Sequence, residues 1–134
     1  MKILDNTQEF LARYAKVLKS IQNPGRYLGG EFGECIKNSA HIRFCIAFPD
    51  LYEIGMSNLA IKILYNKLNN IDNVYCERVF APAHDFESFL LEQSLPLFSL
   101  ETKTNLFDFD IIGFTFGYEL GINSVLSILK SAGI

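Results

Sequence analysis

The sequence contains no tryptophan, no C-x-x-C pair and no uninterrupted apolar run long enough to cross a membrane. Its three cysteines, Cys35, Cys45 and Cys76, are odd in number and far apart, which excludes a zinc knuckle and a disulfide framework. Charged residues are spread through residues 1–20, which excludes a signal peptide. We therefore expect a cytoplasmic protein with no membrane partner, in which Cys45 and Cys76 are inert buried thiols.

Basic residues are also scarce relative to acidic ones. The chain has 12 Lys and Arg against 15 Asp and Glu, which gives a net charge of −3 and a pI near 5.3. A protein that binds duplex nucleic acid shows a basic face, so nucleic acid is not an expected partner. The chain is instead rich in apolar bulk, with 12 phenylalanines and 6 tyrosines in 134 residues, enough for one globular domain with a real core.

The N-terminal part combines an amphipathic helix with a glycine-rich segment. Apolar residues recur at helical spacing over 6–22, and the Asn-Pro-Gly run that follows ends the pattern. Residues 23–34 read NPGRYLGGEFGE, which is typical of a turn-rich linker; alternatively, Arg26 and the glycines help to close a site or an interface. We therefore divide the chain into residues 1–40, the helix and glycine-rich linker, and residues 41–134, a partial α/β domain.

Strand and helix patterns alternate through the rest of the chain. Residues 41–48 and 110–116 are nearly continuous apolar sequence, as expected for strands covered on both faces, and residues 73–82 predict another strand. A further strand is predicted at 95–101, near an edge of the sheet because Pro96 cannot donate to a ladder.

Three helices are predicted between and after these strands. They run from about Ser57 to Asn69, from a cap at Asp85, and from about Tyr118 to a C-cap at Gly133. The apolar faces predicted for the first and last of them comprise Leu59, Ala60, Ile63, Leu64 and Leu68, and Ile122, Val125, Leu126 and Leu129.

The alternation predicts a three-layer, doubly wound α/β fold with a mainly parallel sheet, which is Rossmann-like or flavodoxin-like. Three or four strands are fewer than such sheets usually have. We therefore expect the domain to be incomplete at its C-terminus and the chain to be the N-terminal piece of a longer protein. The strand at 110–116 is then expected to be an open edge, which would allow a homodimer through that edge.

The loops at the carboxyl ends of the strands are where such folds bind ligands. These loops lie at 49–58, 81–85 and 117–121, and they contribute packing, shape and hydrogen bonds rather than proton transfer, so no catalytic residue is predicted. No metal site is predicted either, because single acids at helix starts are usually caps. His84 is read as an ordinary loop histidine. The candidate binding residues are Asp50, Tyr52, Gly55, Met56, Ser57, Gly117, Tyr118 and Glu119.

Several segments resemble those of one protein family. NPGRYLGGE, AFPDLYEIGMSNLAIKILYNKLN, ERVFAP, LPLFSLE, FDIIGFTFGYEL and LKSAGI follow one another between Pro24 and Ile134. This order is similar to that in a group of bacterial radical SAM proteins, which carry an N-terminal cobalamin-binding-like (B12-binding-like) domain. The resemblance implies that the present chain is such a domain and that its partner is a downstream radical SAM domain of the same protein.

The resemblance also implies where the cofactors belong. A radical SAM domain holds a [4Fe–4S] cluster on a C-x-x-x-C-x-x-C loop and cleaves S-adenosylmethionine, and this chain lacks that loop, so on its own it is not expected to be an enzyme. Cobalamin is the candidate ligand. Corrinoid carriers with an axial histidine use D-x-H-x-x-G after the first strand; here Asp50 and Gly55 match that motif, but Tyr52 replaces the histidine.

Two other readings remain open. The domain is alternatively a ligand-free scaffold that supports the radical SAM barrel, with apolar patches around Phe107, Phe109 and the N-terminal helix as its signature. A free-standing flavodoxin-like protein that binds FMN would need a phosphate loop after the first strand, and only Gly55, Ser57 and Asn58 approach one.

Overall fold

A parallel sheet of three strands forms the centre of the molecule. The computed structural model describes residues 2–3 and 6–134, and its strands are β1 (Ile42–Phe48), β2 (Val74–Phe80) and β3 (Ile111–Phe114). Both outer strands run parallel to β1, and the strand order is β2-β1-β3. The predicted α/β fold with a parallel, partial Rossmann- or flavodoxin-like sheet is confirmed.

Helices cover both faces of the sheet. They are α1 (Thr7–Leu18), α2 (Tyr52–Ser57), α3 (Leu59–Asn69), α4 (His84–Glu92) and α5 (Ile122–Ala132). Side chains alternate along β1, so Cys45 and Ala47 pack with α1, α4 and α5, whereas Ile46 packs with α3 on the opposite face. The connection from β1 to β2 therefore uses one face, and the connection from β2 to β3 uses the other.

Aromatic rings join α1 to the rest of the core. Phe10 stacks on Tyr14 with ring centroids 4.7 Å apart, and both rings meet Phe98, at 4.7 and 5.4 Å. Tyr27 stacks on the fully buried ring of Phe86 at 4.0 Å. The N-terminal helix thus shares the hydrophobic core of the sheet.

Some element boundaries differ from the sequence prediction. Helix α1 ends at Leu18 rather than near residue 22, and Asp85 lies inside α4, whose N-cap is Ala83. Asp85 instead accepts hydrogen bonds from the backbone N–H groups of Gln22 and Phe86, both at 2.8 Å. The long loop predicted after β1 contains the short helix α2, and a new helix begins after Asn58, whose side chain caps it.

The predicted apolar faces of α3 and α5 are largely wrong. Helix α3 buries Ile61, Tyr65 and Asn69, while Leu59, Ile63 and Leu64 are exposed; helix α5 buries Val125, Ile128, Ser131 and Ala132, while Ile122 and Leu126 are exposed. Both helices carry apolar residues on more than one side, so the sequence pattern alone does not select the face that meets the sheet. The Gly133 cap is confirmed, with φ of +78°.

The predicted strand at 95–101 is also wrong. This segment makes only an isolated bridge between Phe98 and Asn105, and residues 97–105, which we call the β2 clasp, fold back over the outer edge of β2. The Leu100 N–H donates to the Arg78 carbonyl at 2.8 Å, and the Arg78 N–H donates to the Glu101 carboxylate at 2.8 Å. The clasp satisfies the edge of β2 with a turn instead of a fourth strand.

Two buried ion pairs hold the clasp. Arg78 Nε donates to Glu101 at 2.7 Å on the α3 face, and Arg43 pairs with the fully buried Glu77 on the other face. Glu77 also accepts from Ser99 Oγ at 2.7 Å and from Thr102 Oγ1 at 2.8 Å. A buried carboxylate needs such complete pairing because desolvation of a charge is costly.

The opposite edge of the sheet is bare. Among the residues that the structure describes, strand β3 pairs with β1 only, and Ile111 at its start is 46% exposed. Exposed apolar side chains follow it, from Phe116 at 52% and Leu120 at 81% to Leu126 at 56%. The expectation that this strand is an open edge agrees with the structure, and the homodimer through it stays a prediction.

Candidate functional site

A cleft of about 330 Å³ lies where the carboxyl ends of β1 and β2 meet helix α5. The strand order reverses at β1, because the chain passes from β1 to β2 on one side and then to β3 on the other. Ligands of open α/β sheets bind at this reversal, outside the carboxyl ends of the strands. The cleft is lined by Asp50, Leu51, Ala81, Pro82, Ala83, His84, Glu87, Asn123, Ser124 and Ser127.

Asp50 links two of the walls. Its carboxylate accepts from the Leu51 N–H at 2.8 Å, and its carbonyl accepts from the Ala81 N–H at 2.9 Å. The loop after β1 is thereby tied to the loop after β2. Asp50 is the one predicted binding residue that lies in this cleft.

Helices α4 and α5 supply the remaining polar groups. His84 Nδ1 lies 3.0 Å from Ser88 Oγ, and Ser127 Oγ donates a short hydrogen bond to Glu87, which joins the two helices. Asn123 and Ser124, on the first turn of α5, add an amide and a hydroxyl to the lining. The cleft therefore offers both donors and acceptors.

The charge of the lining limits the ligands that fit. Asp50 and Glu87 are acidic, and the lining residues include no Lys or Arg. A phosphate or carboxylate would face these two acids without a counter-charge. The cleft favours a neutral or cationic ligand that carries hydrogen-bond donors, which disfavours the FMN reading.

Tyr52 points away from the cleft. Its hydroxyl donates a short hydrogen bond to Glu31 of the glycine-rich linker, and its ring meets Phe80 edge-on at 5.6 Å. Burial, followed by the Glu31 carboxylate, raises the pKa of Tyr52 well above its usual value. The side chain at the position of an axial histidine thus anchors the linker, as does the nearby ion pair between Arg26 and Glu53 at 2.7 Å.

The next predicted residues support helix α2. A Cβ at Gly55 would collide with the rings of Phe80 and Phe48, so the glycine permits close packing of α2 on the sheet. Met56 Sδ lies 3.4 Å from Arg78 Nη1, and Ser57 Oγ donates to the carbonyl of Ile54 at 2.9 Å. None of these three residues lines the cleft.

Gly117, Tyr118 and Glu119 lie in the exposed segment that follows β3. The Tyr118 ring is 56% exposed, and the segment leads into α5, where Gly121 approaches Pro49 of the loop after β1. These residues are at the carboxyl edge of the sheet, outside the cleft lining. Their role in binding stays a prediction.

Sequence reasoning missed four lining residues, namely Glu87, Asn123, Ser124 and Ser127. All four are on helices, whereas the binding residues predicted from the sequence were sought at the carboxyl ends of the strands, in the connecting loops. A signal was available in α5, where small polar residues at 123, 124 and 127 interrupt an apolar helix.

The remaining chemistry of the described residues is limited. Across residues 2–3 and 6–134, no three His, Cys, Asp or Glu side chains converge as metal ligands, and no helix is both long and apolar enough to span a bilayer. Cys45 and Cys76 are buried, as predicted, and burial raises the pKa of both thiols, to about 12 for Cys76.

The donor set fits a corrinoid only in part. The amide and hydroxyl groups of Asn123 and Ser124 and the Asp50 carboxylate match the carboxamide groups around a corrin ring. Tyr52 is engaged with Glu31, so the loop after β1 offers no axial ligand. A corrinoid bound here would have to be held by its periphery, without a histidine from that loop.

The fold is that of a Rossmann-like α/β domain with a cleft at the carboxyl edge of its sheet. The family model described as "Radical SAM proteins, N-terminal" matches residues 60–134, which is more than half of the chain. The chain belongs to this family. No curated protein and no solved structure matches it.

Proposed function

We propose that this chain is a non-catalytic N-terminal domain of a radical SAM enzyme and that it binds a cofactor, with cobalamin as the candidate. The cleft at the strand-order reversal supports the binding role, because its polar side chains, among them Asp50, Asn123 and Ser124, can form hydrogen bonds with the carboxamide groups of the macrocycle. In this proposal the [4Fe–4S] cluster and S-adenosylmethionine belong to a linked radical SAM domain. The family membership supports that linkage.

Cobalamin would be held by hydrogen bonds to its periphery. Asp50 would accept from carboxamide N–H groups, and Asn123 and Ser124 would contact the amide oxygens and nitrogens. Tyr118, at the exposed edge beside the cleft, would provide a flat surface for the macrocycle. Tyr52, Gly55, Met56 and Ser57 would act indirectly, by fixing α2 and the glycine-rich linker below the site.

A titration with hydroxocobalamin tests the proposal. The intact radical SAM protein and the 134-residue chain would be incubated with hydroxocobalamin and separated by gel filtration, with the corrin absorbance read in the protein peak. Co-elution is expected with the intact protein, and FMN should not co-elute. Absence of cobalamin from both peaks would contradict the proposal.

Substitutions inside and outside the cleft test whether cobalamin binds there. Asn123→Ala removes a cleft donor and should weaken binding about fivefold, since one hydrogen bond contributes roughly 1 kcal/mol. Asn66→Ala is the matched control, because Asn66 is exposed on α3 and lies outside the cleft. Equal weakening by both variants would argue against this cleft.

The second candidate function is a ligand-free scaffold for the radical SAM barrel. The exposed apolar residues between Phe116 and Leu126 favour it. Of the apolar patch predicted around Phe107 and Phe109, Phe107 is 53% exposed, whereas Phe109 is only 9% exposed and belongs to the core. Under this reading, Asn123→Ala, which removes only a polar side chain of the cleft, leaves the activity of the intact protein unchanged.

A further inference from the structure

We infer that a groove at the C-terminal ends of α4 and α5 binds a small amphipathic anion, namely an aliphatic acyl chain that ends in a carboxylate. The groove has a volume of about 500 Å³. The cleft described above is lined by the N-terminal halves of the same two helices, so the groove is a separate site. The inference is therefore independent of whether the cleft binds cobalamin.

The walls of the groove are apolar. Leu90 and Leu91 come from the end of α4, Leu95 and Pro96 from the segment that leads to the clasp, and Phe107 from the turn before β3. Leu90 is buried, whereas Leu91 is 41% and Phe107 is 53% exposed. An aliphatic chain in the groove would remove these two exposed side chains from water, which favours binding. The volume is also in the range of small-ligand sites, about 300–1,000 Å³.

Backbone carbonyl groups at the ends of both helices are already occupied. At the end of α4, the Leu90 carbonyl accepts from the Leu95 N–H at 2.9 Å. At the end of α5, the Ser131 carbonyl accepts from the Leu97 N–H at 2.7 Å. Carbonyl groups at a helix C-terminus otherwise attract cations and donors, so these bonds reduce the preference of the groove for such ligands.

The hydroxyl of Ser131 is the polar group that a ligand can satisfy. Ser131 lines the groove and is only 3% exposed, and its Oγ has no hydrogen-bond partner among the residues that the structure describes. A buried hydroxyl without a partner is destabilising. A ligand oxygen would supply the missing partner, and an O–H group donates most strongly to an ionised acceptor.

The charge of the lining selects an anion. Lys130 is the one charged residue among the lining residues, and it is exposed at the rim. Glu92 and Asp108 adjoin lining residues in the chain, but both are exposed and neither is part of the lining. Because Lys130 and Ser131 are adjacent on α5, a carboxylate can pair with the ammonium group and accept from the hydroxyl while its chain lies along the apolar walls.

Saturation-transfer NMR on the intact radical SAM protein tests the class of ligand. Octanoate, 1-octanol and octylamine would be titrated separately at pH 7. We expect octanoate to bind about tenfold more tightly than octylamine, because the ammonium group of the amine cannot accept from Ser131 and is repelled by Lys130. The affinity of 1-octanol should lie between the two. Equal affinities would show a non-selective apolar surface, and that result, or no binding of octanoate, would overturn the inference.

Substitutions on α5 test the place of binding. Ser131→Ala should weaken octanoate binding about tenfold, since it removes a hydrogen bond to a charged group. The ligand-free variant should fold at least as well as the wild type, because the hydroxyl it removes has no partner among the described residues. Lys130→Gln should weaken octanoate binding about two- to fivefold and leave 1-octanol binding unchanged.

Lys62→Gln is the matched control for the charge change, because Lys62 is exposed on α3 and lies outside the groove. It should alter the affinity for none of the three ligands. Octanoate binding that survives both Ser131→Ala and Lys130→Gln would place the ligand elsewhere and overturn the inference. Displacement of octanoate by hydroxocobalamin would place it in the cleft, which is also contrary to the inference.

Discussion

The two edge strands of the sheet, β2 and β3, differ in whether their outward-facing backbone groups are covered. The outer backbone of β2 is satisfied within the chain, by the clasp at Arg78 and by the Asn69 side chain of α3 at Cys76. The ion pairs of Arg78 with Glu101 and of Arg43 with Glu77 hold the clasp, one on each face. The outer backbone of β3 has no such cover and is followed by exposed apolar residues. The comparison teaches that one edge is closed by buried polar contacts that contribute to the stability of this domain, whereas the other is left exposed.

The largest effect is expected at the centre of the clasp. Glu77→Gln removes the charge that balances Arg43 and should lower the free energy of unfolding by about 3–5 kcal/mol, because it leaves a buried guanidinium unpaired. Urea unfolding of both forms measures this. Glu53→Gln is the control, since the Glu53 side chain is 50% exposed and its pair with Arg26 should contribute about 1 kcal/mol or less. Similar losses in both variants would show that the buried ion pair contributes no more to stability than the exposed one.

The ion pair between Arg78 and Glu101 predicts that the free energy of unfolding depends on pH. Burial outweighs the nearby Arg78 and raises the pKa of Glu101 from 4.5 to about 7. Between these values the folded protein holds a proton that the unfolded chain releases, so the free energy of unfolding should fall as the pH rises from about 4.5 to 7. The change is on the order of 2–3 kcal/mol.

Glu101→Gln isolates that dependence. The glutamine has no charge to lose, so its unfolding free energy should lack the fall between about pH 4.5 and 7. Urea unfolding at several pH values measures both forms. A wild-type stability that rises over the same window would show that Arg78 keeps Glu101 ionised throughout.

Smaller and unequal effects on the free energy of unfolding are expected for Thr102, in the clasp, and Thr115, just after β3. The buried Thr102 hydroxyl donates to Glu77 at 2.8 Å, so Thr102→Val should cost about 1.5–3 kcal/mol. Thr115, just after β3, has a buried hydroxyl without a hydrogen-bond partner, so Thr115→Val should be neutral or stabilising. Thermal unfolding of the two variants compares them directly, and equal destabilisation would be contrary to this prediction.

The smallest effect is expected at the bare edge itself. Ile111→Lys in the 134-residue chain should change the free energy of unfolding by about 0.5 kcal/mol or less, since the side chain is already 46% exposed. Urea unfolding measures the change, and a loss well above about 1 kcal/mol would contradict the view that this edge contributes little to stability.

The sequence predicted the parts of the fold that depend on local pattern. Continuous apolar runs identified β1 and β3, and the Gly133 cap was recognisable because a left-handed residue at a helix end is usually glycine. The buried faces of α3 and α5 were not predictable from apolar periodicity. Leu59 and Ile122 are as apolar as their buried neighbours, and tertiary packing leaves them exposed.

The clasp and the site were harder to predict for a different reason. Glu77 and Arg78 read as polar interruptions of a strand, and only contacts with residues about 25 positions away make them core residues. Asp50 was predictable from the position of its loop. The direction of the Tyr52 side chain was not, because it depends on Glu31 of a linker with no regular pattern.

The docking of α1 has a consequence during synthesis. Its apolar face is completed by Phe86 and Phe98, which follow Tyr14 by more than 70 residues. At a translation rate of roughly 5–20 residues per second, that face leaves the ribosome several seconds before its partners exist. Nascent chains of this protein therefore expose the apolar side chains of this segment to solvent until the clasp emerges.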